Sequence, residues 1–127
     1  MRFKHQITVR PEDIDQMGHV NNVVYLRYVQ ETAEAHWKSF APTELQKEVV
    51  WVVLRHEIDY HKPAFEADLL ECETWVEEAN GVKMPRNVVI MNAKGEQLIS
   101  ARTIWCALDG KTFRPKRIEH SLYEQFI

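Results

Sequence analysis

No apolar run in this sequence approaches the roughly 20 residues that span a bilayer. Its first residues, MRFKHQITVRPED, lack the apolar middle of a signal peptide, so the expected compartment is the cytoplasm. Cysteine is scarce: Cys72 and Cys106 stand far apart, without CxxC spacing, which excludes a disulfide scaffold and leaves two reduced core thiols. Charge of one sign is missing too. The 16 basic and 19 acidic residues are spread along the chain, without the basic face of a nucleic-acid binder. There is no glycine-rich phosphate loop, no internal repeat and no low-complexity segment. The string HEIDYH at 56–61 misses the zinc pattern HExxH, because Tyr60 stands where the second histidine is required. No metal and no cofactor are therefore expected.

What is present suffices for one core. With 127 residues and 45% hydrophobic content, the chain reads as a single domain over 1–127. Phe3, His5, Ile7 and Val9 alternate with Lys4, Gln6 and Thr8, which is strand periodicity. From Asn22 to Phe40 the period lengthens: Leu26, Val29, Ala33, Trp37 and Phe40 recur at three- and four-residue steps, predicting an amphipathic helix of about five turns. Asn21 or Asn22 suits its N-cap, and for Asn22 capping is a stronger expectation than holding substrate. Segments 48–60, 69–78, 82–91 and 97–108 read as strands, separated by HKPAFEAD, by Asn80-Gly81 and by the NAKG turn at 92–95. Four consecutive hairpin-linked strands require an antiparallel sheet, and the long helix is the element available to cover it. The expected class is α+β, one central helix wrapped by a curved antiparallel sheet of about five strands. The tail from Lys111 reads as a short terminal helix or an arm.

The chemically informative residues crowd one loop. Asp13, Asp15, Gly18, His19, Asn21 and Asn22 lie within ten positions directly ahead of the helix. A plain connection needs turn residues and a cap, not two carboxylates and an imidazole. A helix N-terminus presents unpaired N–H groups and partial positive charge, so a carbonyl oxygen held there is polarised. A nearby carboxylate then attacks it or activates water. Gly18 lets the backbone turn sharply and lets a ligand approach it closely.

The string DIDQMGHVNNVVYLRYVQE, from Asp13 to Glu31, resembles the signature of hotdog-fold acyl-thioesterases, the 4-hydroxybenzoyl-CoA thioesterase group in particular. Its HVNN also resembles plant acyl-ACP thioesterases, and RHEIDYHKPAFEADLLECET resembles the second and third strands of the same fold. The resemblance implies a hotdog fold and hydrolysis of an acyl-CoA or related thioester. It also implies Asp15 as nucleophile or general base and a helix start near Asn22 that polarises the thioester carbonyl. His19 matches the histidine of the plant pattern, but Met17 stands where that pattern has an asparagine. The catalytic candidates are thus Asp15, His19 and Asn22, and the substrate-binding candidates Met17, Gly18, Val20, Asn21 and Tyr25. Glu31 lies roughly 13 Å along the helix from Asn22 at about 1.5 Å per residue, and reads as a surface or interface acid.

The implied substrate is acyl-CoA or acyl-ACP. The implied assembly is a homodimer or homotetramer, which would also cover the sheet edges. Neither a membrane nor a nucleic-acid partner is implied. The alternatives are an acyl-ACP thioesterase and a non-catalytic acyl-thioester binding protein; a hydratase of the same fold ranks lower. The four tryptophans read as core or contact residues that could shape an acyl tunnel. The basic run Lys111, Arg114, Lys116 and Arg117 reads as a solvated tail or a grip on CoA phosphates. His5, His36 and His120 read as incidental.

Overall fold

The structure, a computed structural model, describes residues 2–127. Strand β1 (Phe3–Thr8) exposes Lys4, Gln6 and Thr8 and turns Ile7 inward, as its alternation predicts. A 3-10 turn at Pro11–Asp13 opens the polar loop, which leads to helix α1 (Asn22–Phe40, 19 residues). The helix buries Tyr25, Tyr28, Val29, Thr32, Ala33, His36 and Trp37. That face is wider than the predicted stripe and shifted from it, leaving Leu26 and Phe40 only partly covered. A short helix α2 (Thr43–Glu48), absent from the sequence reading, follows Pro42 and delivers the chain to strand β2 (Val49–Tyr60). Strands β3 (Leu69–Val76), β4 (Lys83–Met91) and β5 (Gln97–Asp109) complete the sheet. The tail ends in helix α3 (His120–Gln125), so of the two expected forms the short helix is realised.

All pairings are antiparallel and the strand order is β1-β3-β4-β5-β2. The turns after β3 and β4 are hairpins, with Gly81 and Gly95 supplying positive φ. The connection 61–68 is not. Strand β2 pairs with β5 rather than with β3, so HKPAFEAD crosses from one edge of the sheet toward the other. The expectation of four consecutive hairpin-linked strands is corrected accordingly. The crossover passes the start of α1, where Val20 N–H donates to Ala64 O at 2.9 Å.

Beneath α1 the core is divided. One apolar cluster, around Tyr28, Val29, Leu70, Val88, Ile90 and Ile99, lies under the first half of the helix. A second, around Trp37, Val49, Met84, Ala107, Ile118 and Phe126, lies under the second half. Between them runs a polar row. The register places Arg86, Thr103 and His56 side by side on neighbouring strands, and His56 Nδ1 lies 2.8 Å from Thr103 Oγ1. Arg86 Nη1 donates to Thr74 Oγ1 at 2.9 Å and to His36 Nδ1 at 3.0 Å. His36 is therefore a core residue and not incidental. Burial, aided by the Arg86 charge, lowers its pKa to about 4, which keeps the ring neutral and able to accept that bond. Among the described residues, no helix is long and apolar enough to cross a membrane.

Candidate active site

The polar loop is built on one buried carboxylate and one at the surface. Asp13 is 1% exposed. Its Oδ2 accepts from the Tyr28 hydroxyl at 2.7 Å and from the Arg10 amide at 3.2 Å, and its Oδ1 is paired with Arg27. Burial opposes ionisation, but the bonds from Arg27, Tyr28 and Arg10 outweigh it and hold the carboxyl below the usual range. Asp13 is thus an internal strut that fixes the loop to α1. Of the two loop carboxylates that a plain connection does not need, this one has a structural use.

Two residues on, the chain reverses. Asp15 N–H donates to His19 O at 2.8 Å and Gly18 N–H to Asp15 O at 3.1 Å, with Gly18 at φ +82°. Only a residue without Cβ adopts that backbone freely. The Asp15 side chain folds over this turn, its Oδ1 accepting from the amides of Met17 at 2.9 Å and His19 at 3.3 Å. Oδ2 makes no hydrogen bond with the described residues. The His19 ring does not reach Asp15; it packs edge-on against Phe65, with centroids 5.3 Å apart.

The cap of α1 is Asn21 and not Asn22: Asn21 Oδ1 accepts from Val23 N–H at 3.0 Å. Asn22 is the first helical residue, and its amide has no acceptor among the described residues. The Tyr60 hydroxyl donates to Asn22 O at 3.3 Å, tying the end of β2 to the helix start. The Tyr25 oxygen accepts from Ala64 N–H at 2.9 Å. Burial raises the pKa of Tyr25, so the phenol keeps its proton for a further acceptor.

These groups surround a cavity of about 370 Å³. Asp15, Met17, His19, Val20, Asn21, Asn22 and Tyr25 all line it; Gly18 shapes the turn without lining it. Tyr60, His61, Lys62 and Pro63 complete the wall and were not singled out from the sequence. Tyr60 ends β2 and the other three come from the crossover, which reads as an ordinary link; the proline in HKPAF and the resemblance of that stretch were the available signals. Lys62 is paired with Glu96. Glu31 lies outside, half exposed and 3.0 Å from the His5 ring. The tail residues Lys111, Arg114, Lys116 and Arg117 do not line this cavity. Among the described residues, no three His, Cys, Asp or Glu side chains converge as a metal site would require.

A carboxylate and a helix start with an unpaired first amide, lining one cavity, are a layout for acyl-group chemistry. The family model described as the acyl-ACP thioesterase N-terminal domain matches residues 1–126. The chain belongs to this thioesterase family. It is similar to YneP of Bacillus subtilis, provisionally named an acyl-CoA thioesterase, at 30% identity over 96% of this chain and 95% of the relative. Similarity to the chloroplast acyl-ACP hydrolase FATB3 of Cuphea viscosissima is 24% over 98% of this chain, which spans only 33% of that longer protein. The structure of a DHNA-CoA thioesterase from Staphylococcus aureus superposes with a TM-score of 0.87 at 21% identity, covering 98% of this thioesterase-family chain and 89% of the other. The fold is the hotdog fold, one long helix against a five-stranded antiparallel sheet.

Proposed function

We propose that the protein, as a single hotdog domain, hydrolyses acyl-CoA thioesters in the Asp15 cavity. The observation that carries this reading is the pairing of Asp15 with the helix start. One carboxylate oxygen is held by two loop amides and the other makes no hydrogen bond with the described residues, and Asp15 lines the same cavity as Asn22, whose N–H at the head of α1 is unpaired among them.

The thioester carbonyl oxygen sits at the Asn22 amide, where the helix dipole stabilises the charge that develops as the carbonyl is attacked. Asp15 Oδ2 either adds to the carbonyl carbon, giving an acyl anhydride that water then opens, or removes a proton from the attacking water. In both routes the C–S bond breaks and the products are a free acid and a thiol. Asn21 holds the helix start in place, Tyr25 offers its hydroxyl proton to the substrate, and His19 and Met17 form the cavity wall on the solvent side.

Acyl-CoA is the favoured substrate because the relative matched over nearly its full length carries that name. An acyl-ACP substrate is the second reading, favoured by the family match, although the plant enzyme is about three times longer. Among the described residues both sheet edges, β1 and β2, lack a partner strand, and Val52 and Leu54 are exposed on β2, which supports a homodimer or homotetramer in the cytoplasm.

The test is thiol release from short, long and aromatic acyl-CoA and from acyl-ACP, with wild type, Asp15→Asn and His19→Ala. Wild-type hydrolysis that falls about a hundredfold or more in Asp15→Asn supports the reading. A wild type that binds these thioesters but releases no thiol makes it a binding protein instead.

A further inference from the structure

The segment that follows β5, residues 109–118, lines no part of the Asp15 cavity, yet it is a built loop. Asp109 Oδ1 accepts from the amides of Lys111 at 2.9 Å and Thr112 at 3.0 Å, and Asp109 O accepts from Phe113 N–H at 2.8 Å. Beyond the turn, Lys116 N–H donates to Ala107 O at 2.8 Å and Ile118 N–H to Gly81 O at 2.9 Å, with Ile118 buried. Both ends of the loop are therefore tied to the sheet. At its tip stands Phe113, at φ +58° and 64% exposed. A bulky side chain in the left-handed region is strained, and an exposed ring returns little folding energy for that strain. Around it Lys111, Arg114, Lys116 and Arg117 put four of the 16 basic residues within seven positions, in a chain of net charge -3. None of their side chains makes an ion pair or a hydrogen bond among the described residues. The nearby acids do not cancel them. Asp109 is engaged by the loop amides, Glu119 lies beyond the buried Ile118, and Glu48, whose carbonyl accepts from Gly110 N–H, is preceded by Lys47.

A dissolved phosphate answers the four cations but leaves the aromatic tip in water. A bilayer with anionic headgroups answers both, because its phosphates meet the cations and its interfacial layer takes up the ring. The anchoring contributes as well, since a loop already ordered loses little freedom on docking. We infer that the 109–118 loop is a docking surface for an anionic membrane, with Phe113 entering the interface and Lys111, Arg114, Lys116 and Arg117 on the headgroups. This is contact at a surface and not a span, and it adds a partner that the sequence did not imply. It stands independently of the hydrolysis reading.

The experiment sediments wild type, Phe113→Gly and the double variant Arg114→Gln with Lys116→Gln alongside vesicles of phosphatidylcholine alone or mixed with phosphatidylglycerol, and records each melting temperature. Wild type is expected to bind the mixed vesicles about tenfold or more tightly than the neutral ones, and less as salt is raised. The double variant is expected to bind the mixed vesicles about thirtyfold more weakly, the effect of two cations near a charged surface. Phe113→Gly is expected to lose about tenfold in binding while its melting temperature holds or rises, because glycine adopts φ +58° freely. A Phe113 kept only for folding would give the reverse, an earlier melt with unchanged binding, and that result overturns the inference. So does equal binding of the two vesicle types by wild type. Binding to neither overturns it too, the result if the cations serve a dissolved phosphate or a second copy covers the loop.

Discussion

Asp13 and Asp15 are two residues apart and chemically identical, but the structure gives them opposite duties, and two variants separate these. In Asp13→Asn the buried strut keeps its shape but loses its charge. Its Arg27 ion pair disappears, and the amide nitrogen now faces a donor, either the Tyr28 hydroxyl with the Arg10 amide or Arg27. Breaking a buried, hydrogen-bonded charge costs about 3 kcal/mol. In a chain of this size that lowers the melting temperature by about 10 °C. In Asp15→Asn the side-chain oxygen still accepts from the Met17 and His19 amides at the surface, so stability changes by about 0.5 kcal/mol or less. The assay pairs thermal unfolding with thiol release measured well below the transition. Asp13→Asn is expected to be destabilised and Asp15→Asn to be folded and inactive. A stable Asp13→Asn protein, or an Asp15→Asn protein that melts early, would refute the assignment of strut and reactive group.

Acid sensitivity should trace largely to His36, whose folded pKa of about 4 lies below its ordinary 6.5. The unfolded chain then binds a proton that the native ring refuses. Stability from this source is complete above pH 6.5 and falls by about 2 kcal/mol on going to pH 5; His36→Gln should flatten the urea midpoint over that window. Adding a methyl at Gly110 places a Cβ 1.6 Å from Lys47 O, against backbone, so Gly110→Ala should yield little soluble protein. Gly18→Ala meets open space and bears only the strain of φ +82°, about 1–2 kcal/mol by denaturant titration. Phe126 packs on Trp37, Phe40, Trp51 and His36, so Phe126→Ala should cost about 3–5 kcal/mol, and a tail variant with unchanged stability would show that α3 does not dock.

Local patterns were legible. Alternation in Phe3–Thr8, the three- and four-residue steps of α1 and the glycine turns after β3 and β4 are short-range features, and each is seen in its predicted place. The loop residues from Asp15 to Tyr25 were legible as a group for the same reason: they are close in sequence, and seven of the eight candidates line one cavity. The α1 face was misjudged because the sheet covers more of the helix than one stripe. The cap stayed open between Asn21 and Asn22 because both have the required side chain, and only the backbone, extended at Asn21, decides which is outside the helix.

The sequence by itself determined the five strands and the long helix, though not the short α2, and, through its resemblance to hotdog thioesterases, the expectation of a helix against an antiparallel sheet. Tertiary structure alone decided which distant residues meet. That β2 pairs with β5 sends the crossover past α1 and brings Tyr60 to Pro63 to the Asp15 cavity. That Arg86 meets His36 and Thr74 follows from strand register, fifty residues from the helix position it bonds. The physical reason is common to both cases. Periodicity and capping act over a few residues and leave a mark in local composition, whereas strand order and register are set by burying whole faces at once, and no single residue records the outcome.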